Sequence, residues 1–97
     1  MKLSINTYIG RSQRMTFELK SDKGEKFKVN AYMDYRIRNG KKPVVKINGE
    51  ELNLQLIRDE FTGAQYGVYE YSATYGKFRV HVDFNFVSET CWIEIRL

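Results

Sequence analysis

The sequence predicts an all-β fold: one small domain over residues 1–97, with about eight antiparallel strands in a meander that closes into a small or flattened barrel. A two-sheet sandwich is the alternative, because it uses the same inward-facing residues. Three observations carry this reading. Apolar residues recur at every second position along most of the chain, the breaks between those runs hold hairpin residues, and the runs on either side of a break agree about which face is inside.

The first run is Leu3, Ile5 and Ile9, and the second is Met15, Phe17 and Leu19. Asp22-Lys23-Gly24 then forms a three-residue loop with glycine in the left-handed position, which pairs Leu19 with Phe27 and Phe17 with Val29 and sets Glu18 beside Lys28. Phe27, Val29, Ala31, Met33, Tyr35 and Ile37 alternate with polar residues and make the cleanest strand of the chain. A three-residue loop at Asn39-Gly40-Lys41 keeps its faces matched to Val45 and Ile47; a two-residue turn would set Asp34 against Val45.

Asn48-Gly49 is the strongest two-residue hairpin signal, a turn with positive φ at both positions. It sets Val45 opposite Leu52 and Lys46 opposite Glu51, and leads into a strand through Leu52, Leu54 and Leu56. The only long connection runs from Arg58 to Gly67, as a helical turn or a cap over one end of the barrel. Beyond it, Tyr75-Gly76 places Ala73 opposite Phe78 and Tyr71 opposite Val80. Phe78, Val80, Val82, Phe84 and Phe86 form the second long strand, and a short loop around Val87 to Thr90 aligns Phe84 with Ile93 and Val82 with Ile95. A meander of this kind tends to close because closure removes exposed edges.

With 42% hydrophobic residues, seven Tyr, six Phe and one Pro, the chain is too apolar and aromatic to stay disordered. No apolar run approaches the roughly 20 residues of a membrane-crossing helix. No apolar signal core follows Met1-Lys2-Leu3, and the lone Cys91 gives no disulfide framework, so a cytoplasmic protein is expected. Sixteen basic against twelve acidic residues leave a net charge of +4, too mild and too dispersed to mark a committed nucleic-acid binder.

Chemistry-bearing motifs are sparse. No phosphate-cradling glycine loop and no nucleophile elbow occurs, and no cofactor is expected. His81, the single histidine, shares an outward face with Asp83, and the last hairpin brings Glu94 and Arg96 alongside, with His81 diagonal to Glu94 and Asp83 diagonal to Arg96. Those groups are the kinds used in acid and base work on a phosphodiester, but on a convex wet face they read as cross-strand ion pairs. One histidine with two carboxylates does not make a closed zinc shell, so no metal is expected. Cys91 faces inward and packs as a small hydrophobe. Tyr69 and Tyr71 also face in, where their hydroxyls need partners or a water-lined pocket, and with strands this short no lipocalin-sized ligand chamber is expected.

The outer surface offers more. Trp92 faces outward beside Asn85, and with Tyr32 these residues are the candidates for contact with a protein partner, an exposed tryptophan being a favoured interface anchor. Arg14 opposite Tyr32, with Arg36, Arg38, Lys41 and Lys42 near one turn, is the alternative site, for single-stranded nucleic acid held by phosphate contacts and stacking. The expected function is therefore non-enzymatic binding of a protein, as in compact accessory or inhibitor proteins of viral or mobile-element type. Nucleic-acid binding ranks second and a ribonuclease-like enzyme on His81 third. No membrane partner is expected, and the chain is read as a monomer or a homodimer paired through a strand edge.

Overall fold

The computed structural model describes residues 2–10, 14–33, 41–61 and 67–97. Their strands are β1 (Lys2–Tyr8), β2 (Arg14–Lys20), β3 (Lys26–Tyr32), β4 (Val44–Ile47), β5 (Glu50–Glu51), β6 (Gln55–Phe61), β7 (Gly67–Tyr75), β8 (Phe78–Asn85) and β9 (Thr90–Arg96). All pairings are antiparallel, in a five-stranded sheet of order β1-β9-β8-β7-β6 and a four-stranded sheet of order β2-β3-β4-β5. The all-β meander is therefore present, but the barrel is not closed and the architecture is the two-sheet alternative. No helix among the described residues is long and apolar enough to cross a membrane.

Two departures from a single sheet explain the open form. After β1 the chain turns out of its sheet at Ile9 and Gly10, whose backbone N–H groups both donate to the Glu89 carbonyl, at 2.8 and 3.3 Å. After the short β5, Leu52 still donates its N–H to the Val45 carbonyl at 2.9 Å, as the hairpin predicts, and the chain then leaves the ladder, with Leu52 and Leu54 both buried as it crosses to the other sheet. The strand expected over Leu52 to Leu56 is thus a sheet-to-sheet crossing, because burying both leucines between the layers outweighs continuing a ladder at the edge. Leu56 itself is 49% exposed. The expected long connection begins instead as β6, which carries a bulge between Leu56 and Arg58 and raises the count to nine strands among the described residues. Residues 62–66, where the helical turn was expected, lie outside the described residues.

Both sheets face one core. Phe27, Val29, Ala31, Val45 and Ile47 come from the smaller sheet, and Tyr69, Tyr71, Phe78, Val80, Val82, Phe84, Cys91, Ile93 and Ile95 from the larger. Phe27 meets the Phe78 ring edge-on at 5.1 Å across the layers. Tyr71 packs the same way on Phe84, and Tyr69 on Phe86.

The hairpins keep the expected faces, some with the expected register and some with a revised one. Leu19 pairs with Phe27 around a loop whose Gly24 has φ +84°, as read from the sequence. Asn48 and Gly49, at φ +52° and +85°, pair Lys46 with Glu51 as expected. The Asn39-Gly40-Lys41 loop and residues 34–37 of the long third strand lie outside the described residues, except Lys41; the flanking ladder pairs Ala31 with Val45 and Val29 with Ile47, whereas a three-residue loop there would set Tyr35 opposite Val45, so the faces match and the expected register does not. The next turn is Gly76-Lys77 instead of Tyr75-Gly76, so Tyr75 faces Phe78 and Ala73 faces Val80. Glycine at φ +57° in the first central position suits a type II′ turn, which accounts for the shift. In the last hairpin Phe84 pairs with Cys91 and Val82 with Ile93. There the Asn85 side-chain oxygen accepts from the N–H groups of Val87 and Ser88, closing the turn earlier than expected. β1 and β9, the first and last strands, pair along their whole length.

Candidate functional site

Alternation on β7, β8 and β9 turns Glu70, Ser72, His81, Asp83, Trp92 and Glu94 to the outer face of the larger sheet. The ladder orders them in rows. Glu70 faces Asp83, and Asp83 faces Trp92; Ser72 faces His81, and His81 faces Glu94; Thr74 faces Arg79, and Arg79 faces Arg96. His81 is therefore directly across from Glu94, and Asp83 lies opposite Trp92, not diagonal to Arg96, because the last four-residue turn begins one residue earlier than expected and moves the register by two.

His81 Nε2 lies 2.8 Å from Asp83 Oδ1 and 4.0 Å from Glu70 Oε2. The other oxygen of Glu70 is held by the Arg58 guanidinium, brought to this face beside the β6 bulge. All three members are half-buried. Burial pushes the Asp83 carboxyl above its ordinary value of 3.8, more than the hydrogen bond and charge of His81 pull it down. Behind the sheet, burial first and the Asp83 charge second push the Cys91 thiol well above its ordinary range. Cys91 is accordingly a packing residue with a protonated sulfur.

Trp92 is half-buried, between Asp83 on β8 and Asn6 on β1, and its ring lies 5.2 Å from that of His81. Its neighbour is thus His81; Asn85 sits at the turn opposite Thr90, contrary to expectation. A hollow of about 580 Å³ opens beside these rings, bordered by Arg79, Arg96, Glu94, Thr74, Asn53 and Gln55. Glu94 is buried in its wall, with Lys2 at 3.8 Å and Arg96 at 3.9 Å. Arg79 and Arg96 stand directly opposite one another, a like-charge pair that a sheet tolerates where something acidic lies near.

Tyr32 belongs to the other outer face. There the Arg14 guanidinium sits 5.2 Å, and the Lys41 ammonium 5.7 Å, from the centre of its ring. Arg14, Tyr32, Thr16, Asn30 and Lys46 border a smaller hollow of about 370 Å³. Lys42 is exposed, and Arg36 and Arg38 lie outside the described residues. The structure thus brings Arg14, Tyr32 and Lys41 together, and separates Tyr32 from Trp92.

Sequence reading overlooked Glu70 and Arg58. The signal for Glu70 was available, since alternation along β7 turns it outward as surely as it turns Tyr69 and Tyr71 inward. Arg58 was not legible, because its place depends on the bulge. Compared with protein-family models, with curated proteins and with solved structures, the chain has no significant match to any.

Proposed function

We propose that the chain is a non-enzymatic binding protein that holds a protein partner against the outer face of its five-stranded sheet, with Trp92 as the anchor. The observation that carries this reading is the hollow beside Trp92, where a half-buried indole meets a rim of charged and amide side chains. Interfaces concentrate their energy in such places, on an aromatic residue surrounded by polar groups that exclude water. A partner side chain entering the hollow packs on the indole, and a partner carboxylate meets Arg79 and Arg96. The buried, reduced Cys91 supports a cytoplasmic setting, and small size with a binding face supports an accessory or inhibitor role.

The test is capture of partners by the tagged protein from a lysate, with and without nuclease. A discrete protein that survives nuclease is expected, and Trp92→Ala should weaken its affinity by at least about 30-fold, the cost of truncating an interface tryptophan. Circular dichroism should show the variant still folded. Capture that is indifferent to Trp92→Ala would overturn the reading.

The cations over Tyr32 favour a second reading, single-stranded nucleic acid on the other sheet. It requires nuclease-sensitive capture and steep salt dependence, blunted by Arg14→Ala with Lys41→Ala.

A further inference from the structure

Glu70, His81 and Asp83 are the one group among the described residues that offers three mutually close ligand atoms, all within 4.8 Å of one another. We propose that they bind a divalent first-row transition-metal ion such as Zn²⁺, Co²⁺ or Ni²⁺, with water completing the coordination. The proposal is independent of the partner reading, since the metal is assayed with no partner present.

The geometry is that of an open facial site on rigid elements. Metal bonds to histidine and carboxylate near 2.0–2.2 Å place neighbouring donors about 3 Å apart. His81 Nε2 and Asp83 Oδ1 already stand 2.8 Å apart, and Glu70 Oε2, at 4.0 Å from the same nitrogen, needs to close by about 1 Å. Adjacent strands set this spacing, for Glu70 and Asp83 are direct cross-strand partners and His81 is two residues from Asp83 on the same face.

The surroundings orient the ligands. Arg58 occupies one oxygen of Glu70 and leaves the other toward His81. Trp92 packs on the imidazole and limits its rotation. One imidazole nitrogen faces two carboxylates, and a single proton on it can serve only one of them fully. A divalent ion serves both and offsets the cost of burying the Asp83 charge. An imidazole with two carboxylates suits borderline ions, and suits Mg²⁺ and Ca²⁺ poorly because those prefer all-oxygen sites.

Trp92 is the only tryptophan of the chain, so it reports on the site without a label. Tag-free protein stripped with a chelator is titrated with CoCl₂ while tryptophan fluorescence is followed, and with ZnCl₂ by calorimetry. The expected result is saturable quenching by Co²⁺, one Zn²⁺ per chain, and a higher Tm with either metal. His81→Gln and Asp83→Asn should each weaken binding at least about tenfold. Glu70→Gln should weaken it as well, and Glu51→Gln on the other sheet should not. Circular dichroism of each variant separates loss of the site from loss of the fold. Absence of saturable one-to-one binding, or binding that persists in the folded His81→Gln and Asp83→Asn variants, would overturn the proposal and leave the cluster as ion pairs between strands.

Discussion

At the scale of single residues, Cys91 shows how burial alone decides chemistry. Its side chain has no exposure, and its thiol is pushed upward mainly by lost hydration. The folded state therefore keeps the proton that the unfolded chain gives up near its ordinary value of 9.0. A group raised in this way contributes stability below the unfolded value, and that contribution is lost as pH climbs above it. Above pH 9.0 the Cys91 share of stability should fall by about 1.4 kcal/mol per pH unit. Urea unfolding of wild type and Cys91→Ala at a series of alkaline pH values checks this, because only the wild type should show the extra slope. A thiol reagent at neutral pH should react no faster than the protein unfolds.

At the scale of elements, the hairpin at Asn48-Gly49 carries more than its turn. Asn48 accepts the Lys28 N–H on its side-chain oxygen at 2.8 Å and donates its amide to the Lys26 carbonyl and the Tyr75 hydroxyl, each at 3.1 Å. One residue thus fastens β4 and β5 to β3 and reaches a tyrosine of the other sheet. Asn48→Gly keeps the left-handed backbone and loses those bonds, at an expected cost of about 1–2 kcal/mol. Asn48→Ala keeps a Cβ at φ +52° without the side-chain amide that offsets its strain, and should cost about 1 kcal/mol more than the glycine variant. Denaturant midpoints, with unchanged m-values, measure both. The same hairpin was legible in the sequence because its dipeptide fixes both turn type and register. At Gly76 and after Asn85 the legible quantity was parity alone. A slip of two residues leaves every side chain on its face, so alternation located the core and the outer His81 face yet miscounted the pairs across them. That miscount hid the contact of Trp92 with His81 and of Glu70 with Asp83. The crossing through Leu52 and Leu54 was misread for a related reason, since buried leucines at alternate positions look alike in a strand and in an extended link between layers.

At the scale of the whole molecule, the two sheets depend on each other although, among the described residues, no strand of one pairs with a strand of the other. Among the described residues Phe27 is packed against Tyr75 and Phe78 from the opposite layer, and the buried residues of both sheets form one cluster. Neither layer has another surface on which to bury its inner face, so unfolding one exposes the other. Small domains built this way unfold in one step. Trp92 reports on the larger sheet, and Ile47, fully buried on β4, belongs to the smaller one. Ile47→Val removes one methylene and should cost about 0.5–1.5 kcal/mol, or roughly 2–12 °C in Tm for a domain of this size. If the layers are coupled through the shared core, Trp92 fluorescence and far-ultraviolet circular dichroism must shift by the same amount, although the substitution lies in the sheet that holds no tryptophan. Independent layers would instead leave the Trp92 transition in place while part of the dichroism moved. Coincident shifts would also mean that a ligand held on the outer face of the larger sheet stabilises the smaller sheet equally, because binding to the folded state raises the stability of everything that unfolds with it.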